Sequence, residues 1–120
     1  MQIITEQIDD VTVLHLEGKA LDAGNSREFK SQIAPSLTAG ARLILDLSNL
    51  KFVDSSGLGA LLSCLRQVNA LAGDLKLCGM IRPVRALFEL VRMHRVFEIF
   101  NTQEEALRSW AAVPAEERTG

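Results

Sequence analysis

Leu43-Ile44-Leu45-Asp46-Leu47 is apolar at all but one position, the composition of a strand covered on both faces in the middle of a sheet. A short way on, Asp54-Ser55-Ser56-Gly57-Leu58-Gly59-Ala60-Leu61 brings two hydroxyls and two glycines to the place where the period changes. Apolar residues then recur at 58, 61, 62, 65 and 68, the spacing of a helix face, so a helix is expected from about Ser56 to Leu71 with Gly73 as its left-handed cap. A helix start has unpaired N–H groups and a partial positive charge, and a serine there sits in a field that tolerates an added phosphate.

The alternation of strand and helix continues in both directions. Val11-Thr12-Val13-Leu14-His15-Leu16 is rich in β-branched residues and stops at Gly18, as a strand does. The weaker segment Gln2 to Thr5 is expected to pair with it across a polar turn from Glu6 to Asp10. Asn25 with Glu28 has the form of a capping box for a helix whose face carries Phe29, Ile33 and Leu37, with Pro35 kinking or ending its regular part.

Leu75 to Gly79 reads as the next strand, and Pro83 suits the first turn of a helix that turns Val84, Leu87, Phe88 and Val91 to the core. Val96 to Phe100 reads as the last strand, and Thr102 with Glu105 opens a final helix carrying Leu107 and Trp110. A hairpin followed by three strand-helix-strand crossovers predicts an α/β fold with a mixed, mostly parallel sheet of about five strands and about four helices, because such crossovers join parallel neighbours. Function in such sheets gathers in loops at the carboxyl ends of the strands, and the segment from Asp54 to Leu61 begins in one.

With 120 residues and 48% hydrophobic content, one domain can bury a core without staples. It is expected to span residues 1–113, with Pro114 to Gly120 as a frayed tail. A net charge of −2 exerts no pull toward nucleic acid or an anionic membrane. No stretch approaches the ~20 apolar residues of a membrane span, and the N-terminus lacks a basic region followed by an apolar core. A cytoplasmic protein without direct membrane contact is the expectation.

Cys64 and Cys78 lie in apolar segments, as reduced, buried thiols do. Together with His15 and His94 they lack metal-site spacing, and no metal or other cofactor is expected. The serines precede the glycines, unlike Gly-x-Ser-x-Gly, and no glycine-rich loop with a lysine is present, so neither a serine hydrolase nor a P-loop enzyme is indicated. His15, within a strand, is expected to be structural. The segment from Arg82 to Arg95 is basic, but Glu89 and Glu98 interrupt it and its apolar residues are needed inside. It reads as a solvated helix face, able to add arginines to a protein interface, rather than a nucleic-acid patch.

Phe52-Val53-Asp54-Ser55-Ser56-Gly57-Leu58-Gly59, preceded by Leu45-Asp46-Leu47 and followed by Gly73-Asp74-Leu75, resembles the STAS domain of bacterial anti-sigma factor antagonists, a likeness that runs from about Val11 to Leu107. The resemblance implies that Ser55 is phosphorylated by a partner that is both anti-sigma factor and serine kinase, a histidine-kinase-like ATPase. It implies a cycle in which the unphosphorylated chain binds that kinase and frees a sigma factor, phosphorylation releases it, and a metal-dependent serine phosphatase resets it. The chain would then be a substrate and not an enzyme. Two departures stand out: Gly18-Lys19-Ala20-Leu21-Asp22 has one residue more than many relatives, and Arg82 stands where a serine often precedes the proline.

Asp54 or Ser55 also suits a simple helix cap, which is compatible with switching, while Ser56 is the second candidate for modification. Gly57 and Gly59, lacking side chains, would let a kinase approach the first turn. Ser56, Gly59, Ser63 and Arg66 form a small polar stripe opposite the core-facing leucines. With Asp22, which the resemblance places near Ser55, the expected docking surface is Asp22, Asp54, Ser56, Gly57, Gly59, Ser63 and Arg66. A second reading makes the chain an accessory STAS subunit of a membrane lipid-transport system, bound to the transporter ATPase. A sulphate-transporter tail is disfavoured.

Overall fold

The computed structural model describes residues 1–111. Ile3–Ile8 (β1) and Val11–Leu16 (β2) pair antiparallel, with Ile8 opposite Val11. The hairpin turn is only Asp9-Asp10, shorter than the expected Glu6 to Asp10, because Glu6 and Gln7 stay in register with Val13 and Thr12. Ala20–Leu21 (β3) precedes the helix Ser26–Ile33 (α1), which passes at Pro35 into a 3-10 turn, Ala34–Ser36. Arg42–Asp46 (β4), Phe52–Val53 (β5), Ser55–Ala70 (α2) and Asp74–Cys78 (β6) follow. Arg82–Leu90 (α3), Glu98–Phe100 (β7) and Gln103–Ala111 (α4) complete the described chain. The tail from Pro114 and the boundary at 113 lie outside the described residues.

The main sheet has the order β1-β2-β4-β6-β7, with every pair after the hairpin parallel. This is the expected mixed α/β sheet with four helices. β4 is central and its side chains alternate between two cores: Leu43 and Leu45 join Phe29, Leu61, Cys64, Val68 and Phe88, while Ile44 joins Val11, Val13, Cys78 and Ala106. Helices α1 to α3 therefore cover one face and α4 the other, which is why the three buried residues of β4, Leu43, Ile44 and Leu45, are all apolar. Both cysteines are free and buried, and burial pushes each thiol up to about 12.

Lys76 is buried beneath α4. Its ammonium lies 4.4 Å from the Trp110 ring centre, donates to Ser109 Oγ and approaches Glu98 at 3.6 Å. The ring and the carboxylate thus replace the water that the charge gave up. The expected box of Thr102 and Glu105 forms: Thr102 Oγ1 accepts from the Glu105 amide and Glu105 Oε1 from the Thr102 amide, each at 3.1 Å.

Four local expectations are corrected. Asn25 does not cap α1; its Oδ1 accepts from the Asp22 amide and its Nδ2 donates to the Ala20 carbonyl, so the side chain ties the loop instead. The left-handed residue after α2 is Ala72, at φ 59°, and not Gly73. The Ala72 and Gly73 amides bond to the Asn69 and Val68 carbonyls, the double closure of a Schellman end. Gly73 is required for a different reason, since a Cβ there would meet the Ala41 carbonyl oxygen at 2.5 Å. Val91 and Val96 were expected in core and strand; both are exposed, because α3 stops at Leu90 and a 3-10 turn, Met93–Arg95, precedes β7.

Candidate functional site

The strands β3 and β5 form a separate two-stranded parallel sheet at the carboxyl ends of the main strands. Lys51 and Asp54 donate amide hydrogens to the carbonyls of Lys19 and Leu21, so the loop after β2 and the entry to α2 are stitched together. Neither strand gives a sequence signal, since two residues are too few for a period. Val53 turns into the core, and its neighbour Phe52 is left 56% exposed.

Asp54 caps α2 with extended backbone, φ −102° and ψ −174°, and its Oδ1 accepts from the Gly57 amide at 2.9 Å. Its Oδ2 accepts from the Ala23 amide at 3.1 Å. The Gly57 amide, then Ala23 and Ser56 amides, hold the Asp54 carboxyl below its ordinary range, so it is ionised at neutral pH. The cap is thus Asp54 and neither serine.

Ser55 is the first helical residue and is exposed, as is Ser56. Gly59 and Arg66 are exposed on the same helix, and Ser63 is half-buried, its Oγ accepting from Gln67 Nε2 at 3.3 Å. Leu58, Leu61, Leu65 and Val68 are buried on the opposite side. Asp22 is half-buried; its Oδ1 accepts from the Gly24 amide at 2.9 Å, and the next residue's amide holds Asp54. The structure therefore joins Asp22, Asp54 and Ser55 in one corner, from which Ser56, Gly59, Ser63 and Arg66 lead along α2.

Gly57 differs from Gly59. A Cβ at 57 would lie 2.1 Å from the Leu21 carbonyl oxygen, whereas at 59 nothing lies within 4 Å. What approaches Gly57 closely is the chain's own β3 and not open solvent, whereas the helix surface at Gly59 is open.

Away from this corner, His15 Nδ1 meets Asp46 Oδ2 at 2.7 Å and its Nε2 meets Glu6 Oε1 at 2.9 Å. The ring thereby clasps β1, β2 and β4, a structural task as expected.

The STAS domain family description matches residues 2–106. The chain is similar to a Paenibacillus polymyxa protein named anti-sigma F factor antagonist, 28% identical over 109 residues that cover 89% of this chain and 92% of that one. Its fold is similar to the phosphorylated form of the Bacillus cell fate determinant SpoIIAA, with TM-score 0.66, 26% identity and coverage of 90% and 98%. It is also similar to an anti-sigma-factor antagonist (STAS) domain protein from Planctomyces limnophilus, with TM-score 0.81, 20% identity and coverage of 91% and 97%. With the sheet order, the capped serine corner and this match over most of its length, the chain belongs to the STAS domain family.

Proposed function

We propose that this protein is an anti-sigma factor antagonist that works by partner switching in the cytoplasm. Unphosphorylated, it docks on an anti-sigma factor that is also a serine kinase and so frees a sigma factor. The kinase transfers the γ-phosphoryl group of ATP to Ser55 Oγ, the hydroxyl proton is lost, ADP leaves and the modified chain is released. A metal-dependent phosphatase hydrolyses the ester and restores the hydroxyl. The chain is the substrate of both steps and catalyses neither.

The observation that carries this reading is the exposed Ser55 at the first turn of a 16-residue helix, with the ionised Asp54 beside it. Phosphorylation adds roughly −1.5 to −2 charge. The helix terminus accepts that charge, but Asp54 repels it. Covered by a docked protein and unpaired, it costs ~2–5 kcal/mol, a tens- to thousands-fold loss of affinity. Phe52, Gly59, Ser63 and Arg66 supply the rest of the docking surface, with Phe52 as the aromatic anchor. SpoIIAA, similar in fold, exists in a phosphorylated form.

The test is intact-mass spectrometry after incubation with ATP and a histidine-kinase-like anti-sigma ATPase that binds the unphosphorylated chain. One phosphate is expected on the native chain and on Ser56→Ala, and none on Ser55→Ala. A phosphate retained by Ser55→Ala overturns the assignment.

A further inference from the structure

We propose that the knob from Leu90 to Val96 is a second docking surface, which takes an acidic amphipathic segment of a partner protein. Leu90 is 80% exposed, and Val91 and Val96 stand out with it, so three large aliphatic side chains face solvent within seven residues. Arg92, His94 and Arg95 between them are exposed as well. Neither arginine forms an ion pair among the described residues, whereas Arg85 pairs with Glu89 and Lys76 with Glu98, each at 3.6 Å. The surface thus offers an apolar face edged with cations.

Its shape is fixed. Arg92 sits at φ 63°, a left-handed conformation that a non-glycine residue keeps only where its surroundings hold it there. The Arg92, Arg95 and Val96 amides bond to the carbonyls of Glu89, Arg92 and Met93. Beneath them Phe88 and Phe97 pack edge to face, 6.1 Å between ring centres. A surface held in this way loses little entropy when something binds.

The side chains favour a protein over a bilayer. Residues 82–95 contain four arginines and no lysine, and arginine's planar fork matches carboxylates and is enriched at protein interfaces where lysine is depleted. The knob exposes none of the aromatic residues of a membrane-surface segment, since Phe88 and Phe97 beneath it are both buried.

The knob lies toward the other end of the sheet from Ser55. Helix α3 leaves the carboxyl end of β6 and runs back, and the knob feeds the amino end of the parallel strand β7. A phosphate at Ser55 therefore leaves this surface untouched, and a partner held here stays bound through a switch at Ser55.

The full-length, isotope-labelled protein is titrated by NMR with a synthetic helical peptide carrying leucine on one face and glutamate on the other. Amide shifts concentrated at residues 90–96, weakened by salt and by about tenfold in Leu90→Ser or Arg95→Ser, are expected, with Ser55→Asp binding like the native chain. No shift at 90–96 with millimolar peptide overturns the proposal, as does equal binding of a lysine-for-glutamate peptide. It is equally overturned if phosphatidylglycerol vesicles perturb these residues instead, if dilution alone shifts them, or if Glu116→Gln with Glu117→Gln shifts them without peptide, which would make the occupant a membrane, a second copy or the chain's own tail.

Discussion

Asp54 and Ala23 are joined by a hydrogen bond of 3.1 Å from the Ala23 amide to Asp54 Oδ2, while the other oxygen of the same carboxylate caps α2. One side chain therefore begins the helix that presents Ser55 and fastens the loop that carries Asp22. Asp54→Ala removes both functions. It is expected to lower the urea midpoint and to speed amide exchange at Ala23 and Gly57 together; protection kept at Ala23 would mean that the loop is held by Asn25 alone.

The two glycines of the motif are expected to respond with opposite signs. Gly57→Ala drives a methyl into the Leu21 carbonyl and should destabilise by about 1–3 kcal/mol. Gly59→Ala meets open space and should stabilise by about 0.5–1 kcal/mol, the helix propensity difference. If Gly59→Ala also weakens binding of the anti-sigma kinase, the exposed face of the first turn is part of the interface. Chemical denaturation and titration calorimetry on the same variants separate the two effects.

At the far end of α2, Ala72 occupies the left-handed position and Gly73 the crowded one. Ala72→Gly is expected to raise stability by about 0.5 kcal/mol, strain relief less the entropy that glycine adds to the unfolded chain. Gly73→Ala should lower it, because its Cβ would meet Ala41. The reverse pattern in urea melts would show that Gly73 is the left-handed cap after all.

Both ring nitrogens of His15 face carboxylate oxygens, which only the imidazolium satisfies at once. Burial by itself lowers the His15 pKa, but the bonds and charges of Glu6 and Asp46 outweigh it and raise it above 6.5. Burial likewise raises the Asp46 pKa, and the His15 and Ser48 bonds outweigh it and hold it below 3.8. The raised histidine contributes stability that is complete below 6.5 and disappears as pH climbs through its folded value. The depressed aspartate contributes above 3.8 and is lost as pH falls through its folded value. Stability from the clasp should therefore peak between these limits. Urea midpoints are expected to fall as pH rises above 6.5 in the native chain, and to fall less over the same rise in His15→Gln.

Much of this architecture was legible because long periodic segments such as Leu58 to Val68, and apolar runs such as Leu43 to Leu47, have one stable use each. Thr102 and Glu105 were legible for the same reason, their local chemistry having no competitor. Asn25 had one: the Ala20 carbonyl and Asp22 amide, brought near by β3, drew its side chain away from the cap. Gly57 and Gly73 look alike in sequence to Gly59, and only the distant backbone packed against them, Leu21 and Ala41, distinguishes the three. The serine corner was readable as a motif, but Phe52 and the Asp54–Ala23 bond depend on a two-residue pairing that no local pattern announces.

The central claim is that charge at Ser55 expels a docked anti-sigma factor. It is tested most directly by calorimetric titration of the anti-sigma kinase with the native chain, the enzymatically phosphorylated chain and Ser55→Asp. The account predicts tight binding of the native chain, an affinity loss of at least about tenfold on phosphorylation and a smaller loss for Ser55→Asp. Equal affinity of the phosphorylated and unphosphorylated chains would contradict it.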